Sequence, residues 1–355
     1  DWYTEDSIYT FACALGDADN DGDLDLAFAT GESYNDKSLA DRIYYNINGS
    51  LETLPSWQSA SLTQAMDVTW GDVDNDGDLD LYEGDCKLAN QMYMNDGEGN
   101  FVNVAADQPQ LQCATVRTKG TAFADIDNDG EQEIIVPRAN ALIVWNADGS
   151  LFWKFNDTPG RIFASPVVAN FRDDARLEIA FASRDQVFML DAAGNVLSGF
   201  PVTWEDEIRS LAAGDVDGDG NRDLVAALAS GTPTDVMNAW QADGSTVEGF
   251  PPTNAGSSGC DEDCYPAGCY DQNIAIGDLD GDLKLDIVVP HDNAYASFHK
   301  GSGEAFDANA MFQNCTKTPG VIYLHDLALS QQGWSNNQDV DLQSEFTASA
   351  PAITD

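Results

Sequence analysis

The sequence predicts an all-β fold: a β-propeller of four-stranded blades, with six full repeats and both edges of a seventh. Three observations carry that prediction. An acidic loop pattern recurs six times, beginning at positions 17, 72, 125, 170, 215 and 278, at intervals of 55, 53, 45, 45 and 63 residues. Short apolar runs flank every copy, such as FACALG before and LDLAFAT after the first, and TAFA before and EIIVP after the third. Turn-rich segments such as NADGS, DAAGN and QADGS close a third apolar run in each of three copies. Short β-rich runs bounded by Asn, Asp and Gly read as strands with tight turns. Four such strands recurring at this period are the signature of blades stacked around an axis.

Taken in order, the blades start near residues 9, 63, 118, 163, 208 and 272, and a seventh begins at 349. The whole, residues 1–355, reads as a single propeller domain. Within each blade the first strand leads into the acidic loop and the second leaves it. The third ends in a turn, and a fourth stretch rich in Trp, Phe and Pro follows in several copies, as in GFPVTW and GFPPTN. The ending SAPAITD repeats the approach SPVVAN, so Asp355 is expected to open a seventh acidic loop. The opening DWYTED resembles the tail of an outer strand such as VTWEDE. These two ends read as those of a piece of something longer.

The loops follow D-x-D-x-D-G-x-x-D. Hard cations such as Ca²⁺ take six to eight oxygen ligands, and a tight turn with carboxylates at alternate positions points them inward around a Gly that permits the bend. The spacing therefore predicts Ca²⁺ in four complete loops. The first offers Asp17, Asp19, Asp21, Asp23 and Asp25; the second Asp72, Asp74, Asp76, Asp78 and Asp80. The third offers Asp125, Asp127, Asp129, Glu131 and Glu133, and the fifth Asp215, Asp217, Asp219, Asn221 and Asp223. A further ion is expected at Asp278, Asp280, Asp282 and Asp286, where Leu283 replaces the turn Gly and should weaken or distort the site. The fourth copy reads Asn170, Arg172, Asp174 and Glu178, and is expected to be metal-free, with Arg172 or Arg176 placing a guanidinium where the ion would sit. EF-hand loops share the first half of the pattern but need Glu at position 12 and flanking helices; here position 9 is acidic and both flanks read as strands.

This motif with its strand flanks resembles the FG-GAP/VCBS repeat of integrin α-subunit propellers and of many secreted bacterial proteins. The second copy, through LYEGDCKLANQMYMNDGEGNFVNVAAD, is similar to the repeats of the cartilage acidic protein/UnbV group. The resemblance covers residues 9–355. It implies a seven-bladed propeller with Ca²⁺ between the first and second strands of blades, and it implies no single activity, since the fold serves adhesins, lectins, lyases and assembly scaffolds.

Charge narrows the partners. With 61 acidic and 16 basic residues the net is -45, and only 23 of the acids lie in the five calcium loops. Nucleic acid is excluded as a partner, because phosphate contacts need clustered Lys and Arg. No apolar run is long enough for a transmembrane helix, so direct membrane insertion is not expected. Seven cysteines and calcium loops together point to an extracellular or cell-surface, secreted chain. Cys86 with Cys113 and two further pairs among Cys260, Cys264, Cys269 and Cys315 are the expected disulfides. Four cysteines allow three pairings, zinc being the rival for the 253–272 Cys-rich insertion. Cys13 is expected to be free and buried in an inner strand. Glycosylation sequons stand at Asn48, Asn156 and Asn314.

No nucleophile elbow or phosphate loop is present. His291, Tyr295 and His299 resemble the base pair of propeller polysaccharide lyases, with no third element. Trp70, Trp145, Trp153, Trp204 and Trp240 fall at strand ends and are expected mainly between blades, a sugar-stacking platform being the alternative. The expected function is an extracellular, calcium-stabilised adhesion or ligand-binding module that takes a protein or glycan on a propeller face. The alternatives are a lectin or polysaccharide lyase, and a scaffold subunit of a surface filament or assembly. Segments 253–272 and 291–320 are the expected specificity elements, as long loops on a rigid scaffold.

Overall fold

The computed structural model describes residues 4–302 apart from 6–7, 32–35, 86–88, 105–119, 173, 175, 205, 229–236, 253–256, 259–273, 279–282 and 291–295. All regular elements among them are strands. By internal contacts the chain divides into two compact units: residues 1–168 with 192–195, and residues 169–191 with 196–355.

In the first unit, β1 (Thr10–Gly16), β2 (Asp25–Thr30), β3 (Arg42–Tyr44) and β4 (Trp57–Gln58) form one antiparallel meander. A second follows as β5 (Ala65–Gly71), β6 (Asp80–Asp85), β7 (Gln91–Met94) and β8 (Val102–Asn103). The third is β9 (Ala122–Ala124), β10 (Glu133–Arg138), β11 (Ala141–Trp145) and β12 (Leu151–Phe155). The fourth sheet, which but for Val167 and Val168 belongs with the fifth to the second unit, is β13 (Val167–Ala169), β14 (Glu178–Ser183), β15 (Gln186–Leu190) and β16 (Val202–Thr203). The fifth sheet has three described strands, β17 (Ile208–Gly214), β18 (Asp223–Leu228) and β19 (Met237–Trp240).

The sixth sheet corrects the expected strand order. Its members β21 (Ala275–Gly277), β22 (Asp286–Pro290) and β23 (Ala296–Lys300) run in sequence, but the fourth, β20 (Ser257–Ser258), comes from the insertion that precedes them and pairs with β23. A strand two residues long and wholly polar has no periodicity from which to predict it.

Alternation explains why the second strands read as unbroken apolar runs. Along β6, Leu81 enters a core with Ile43, Ala65, Val68 and Tyr93, while its neighbour Tyr82 enters another with Val73, Met92, Ile134 and Val136. Successive side chains leave opposite faces of a strand, so a strand sandwiched between two sheets buries side chains on both faces. In the second unit Val225, Ala227 and Ala239 pack with Ile274, Ile287 and Val289 in the same way.

Glycines at the ends of first strands set how closely sheets approach. A Cβ at Gly16 would lie 2.7 Å from the Trp70 ring, and one at Gly71 would lie 2.5 Å from Phe123. Each absent side chain is the space the next sheet's aromatic fills. Trp70 also donates its indole N–H to the Ala14 carbonyl at 3.2 Å, and Trp57 packs edge-on against Tyr93.

Cys13 is a free thiol, as expected, but it is exposed rather than buried. It alternates with Ala12 and Ala14, which face the core shared with the second sheet, so the pleat turns Cys13 the other way. The expected disulfides, the seventh blade, Asn314, His291 and Tyr295 lie outside the described residues. Asn48 occupies an exposed turn with φ 56°, and Asn156 is exposed.

Candidate metal centres

Each acidic loop hangs between the last residue of a first strand and the first residue of a second. Asp25 pairs with Gly16, Asp80 with Gly71, Glu133 with Ala124 and Asp223 with Gly214. Two left-handed residues make the turn. Position 4 is Asn20, Asn75, Asn128 or Gly218 at φ 58, 56, 63 and 76°, and position 6 is Gly22, Gly77, Gly130 or Gly220 at φ 94 to 98°. Asn and Gly are the residues that tolerate this region.

The turn brings carboxylates together. Oxygens of Asp17, Asp19 and Asp25 lie within 4.8 Å of one another, as do those of Asp72, Asp74 and Asp80, of Asp125, Asp127 and Glu133, and of Asp215, Asp217 and Asp223. These are positions 1, 3 and 9. Position 1 is fixed by backbone donors: Asp17 accepts from the N–H of Asp21 at 3.1 Å and of Gly22 at 3.0 Å, and Asp72 and Asp125 repeat the arrangement.

Position 9 is clamped from two sides. Asp25 accepts from Ala18 N–H at 2.8 Å and from Asn46 N–H at 2.7 Å; Asp80 accepts from Val73 N–H at 3.0 Å and Asn95 N–H at 2.9 Å. The second donors stand just beyond the third strand and were not foreseen from sequence. Their signal is the Asn that follows that strand in YYNING and YMNDGE. Asn95 also donates from Nδ2 to the carbonyls of Ala18 and Leu79, at 2.8 and 3.0 Å, tying the second loop to the first.

The remaining predicted ligands are not gathered with these three. At position 5, Asp21, Asp76, Asp129 and Asp219 each accept the N–H two residues on, at 2.7 to 3.0 Å. Position 5 thus closes the turn as an Asx cap. At position 7, Asp23 accepts from Gly49 N–H at 3.2 Å and Asp78 from Asn20 Nδ2 at 2.5 Å, while Glu131 gives its backbone N–H to position 5 and Asn221 gives both its N–H and its Nδ2, at 2.7 and 3.1 Å. In the sixth loop Asp280 and Asp282 lie outside the described residues. Asp286 pairs with Gly277 in the expected register, and Leu283 keeps the turn at φ 66° with its N–H on Asp278 at 2.8 Å.

The electrostatics favour a cation. Burial, with added repulsion from neighbouring carboxylates, pushes Asp80 up to about 6, and Glu133 and Asp223 up to about 7. Asp19, Asp25 and Asp74 are raised for the same leading reason. Asp19 and Asp215 each hold a buried Oδ1 with no hydrogen-bond donor among the described residues. Buried oxygens without donors, beside other carboxylates that repel them, are the donor set of a hard divalent ion. The residues fit Ca²⁺.

The fourth loop fits no ion. Arg172 places Nε and Nη2 at 2.8 and 2.7 Å from Oε1 of Glu178, whose Oε2 accepts Phe171 N–H at 2.9 Å. The guanidinium occupies the oxygen that a third-strand N–H takes at Asp25 and Asp80.

Repeated four-stranded meanders carrying such loops define a repeat propeller. Residues 17–83 match the FG-GAP-like repeat family, and no curated protein sequence matches the chain. Among solved structures, BBS1N in complex with ARL6DN is similar at a TM-score of 0.52 and 13% identity, over 84% of each chain. Sqt1 of Saccharomyces cerevisiae is similar at 0.50 and 13%, over 78% of this chain and 69% of that one. The V. cholerae biofilm matrix protein Bap1 aligns at 0.46 and 19% over 69% of this chain, which spans 40% of Bap1's length. The chain is a β-propeller, and within it residues 17–83 are similar to the FG-GAP-like repeat.

Proposed function

We propose that the protein is an extracellular binding module whose propeller, residues 1–355, is held by structural Ca²⁺ in the loops beginning at Asp17, Asp72, Asp125, Asp215 and Asp278. The observation that carries this reading is the convergence of positions 1, 3 and 9 within 4.8 Å in four loops, with Asp19 and Asp215 oxygens lacking donors. A binding role accords with the site chemistry: the gathered carboxylates sit in turns whose remaining polar groups are engaged in closing the loop. The same fold carries a protein partner in the BBS1N complex.

Calcium supplies positive charge to each loop when bound. The chain's own residues do the rest: position 1 orients through two backbone N–H groups, position 9 is anchored to the third strand, and position 6 makes the bend. Ligand recognition is assigned to the loops of a propeller face, with 253–272 and 291–320 as specificity elements.

Thermal unfolding in calcium and in EGTA tests the metal, and binding to a glycan array and to extracellular-matrix proteins in the two buffers tests the role. A calcium-dependent melting shift with ligand capture only in calcium supports the reading. Equal melting in both buffers refutes it.

A further inference from the structure

Three carboxyl groups lie buried away from the metal loops, at the other ends of the same strands. Asp41 stands just before β3, Glu83 and Asp85 lie in β6, and all three have 0% exposure. Two of them accept hydrogen bonds from neighbouring groups. Thr30 N–H donates to Asp41 Oδ1 at 2.8 Å and the Thr63 hydroxyl to Oδ2 at 3.0 Å; Gln64 N–H donates to Asp85 Oδ2 at 2.7 Å.

Glu83 differs. Neither of its oxygens receives a proton from a donor among the described residues. The hydroxyl of Thr63 bonds Asp41 Oδ2 at 3.0 Å and also stands within reach of Glu83, but it has one proton and so serves only one of the two carboxyl groups. What Glu83 meets is the Asp41 side chain, at hydrogen-bonding range. Ionised carboxylates only accept, so two carboxyl groups bond to each other only when one keeps a proton. Asp41 already has two donors, which leaves Glu83 as the proton's holder.

We propose that Glu83 is a neutral carboxylic acid that donates its proton to Asp41, and that this pair is a pH-sensitive lock between the first two blades. The groups around it reinforce that state. Asp85 shares its strand face, and Tyr93 faces it from β7 with a phenol that burial, first of all, raises well above its usual range. Arg42 follows Asp41 by one residue and so leaves the opposite face of the strand. Burial first, then the charges of Asp41 and Asp85, raises Glu83 well above its ordinary value, and burial raises Asp41 to about 6. A raised carboxyl stabilises the fold below its unfolded value and loses that contribution as pH rises through the folded one. The lock is closed in acid and opens toward alkaline pH.

The test compares the full chain with Glu83→Gln in saturating calcium, which keeps the metal loops loaded. The native protein should show the infrared carbonyl band of a protonated carboxylic acid, absent from Glu83→Gln, and its melting temperature should fall from mildly acidic to mildly alkaline pH more steeply than the variant's. An identical band in both proteins, or parallel pH curves, overturns the proposal. If Glu83→Gln does not fold, Asp41→Asn serves: it removes the carboxylate to which Glu83 donates, so the carbonyl band should shift in frequency, and an unshifted band overturns the proposal.

Discussion

Arg172 sets two guanidinium nitrogens on the same oxygen of Glu178, at 2.8 and 2.7 Å, and so gives the fourth loop a counter-charge carried by the chain itself. Glu178 is fully buried, whereas the Arg172 side chain is 35% exposed. Arg172→Ala should leave a buried carboxylate with one donor and cost about 1–3 kcal/mol, as is usual for an unsatisfied buried group. Because no ion is involved, the loss of melting temperature should be the same in calcium and in EGTA. A loss confined to EGTA would mean that calcium does enter this loop.

Calcium removal should act on the other loops. Each site that binds only the folded chain contributes about 2.7 kcal/mol when the ion is at 100 times its dissociation constant. Asp17→Asn with Asp19→Asn should remove one ion from the titration stoichiometry and lower the melting temperature in calcium. The same variant should melt no lower than the native protein in EGTA, because it relieves repulsion that the ion no longer offsets.

Acidity should compete with calcium. In the ion-free chain Asp80, Glu133 and Asp223 are raised to about 6, 7 and 7, so the folded state holds protons that the unfolded state has released. Ion-free stability is therefore highest in acid and declines as pH rises through this range. Bound calcium reverses the trend by favouring the ionised groups. The calcium-induced melting shift should be larger at mildly alkaline than at mildly acidic pH, a comparison made by scanning both forms across that range. A constant shift would refute the assignment of position 9 as a ligand.

Leu283 holds a left-handed backbone at φ 66° and is 93% exposed. It gives up almost no burial, while a left-handed non-Gly residue costs roughly 1–2 kcal/mol. Leu283→Gly should raise the melting temperature, the gain being partly offset by the larger entropy of Gly in the unfolded chain. Calcium titration of the same variant should show tighter binding at the sixth loop.

Much of this was legible because two simple periods were present. Strand alternation and the acidic spacing identify the sheets, and the same spacing identifies positions 1, 3 and 9. Three features had no such code. Position 5 reads only as a ligand in sequence, and the structure adds that one oxygen of Asp21 and of Asp76 caps the turn through the N–H of position 7. The donors on Asp25 and Asp80 are backbone groups of another strand, which any residue can supply; only the accompanying Asn hinted at them. In LYEGD, Glu83 reads as a solvated charge, and only its neighbours across the sheet interface reveal a dry one. Cys13 failed for a related reason: alternation says that it and Ala12 face opposite ways, and not which way is inward.

The interlock at Gly16 and Gly71 bears on how such a chain can evolve and be engineered. Trp70 fills the space beside Gly16, and Phe123 fills the space beside Gly71, so the second and third repeats each carry the key to their predecessor's notch. Swapping a single repeat for a foreign one breaks two fits at once, whereas moving a repeat together with its successor's first strand preserves one. Boundaries for grafting, duplication or circular permutation therefore belong inside repeats, after the aromatic has seated, and not at the loops where the sequence pattern begins.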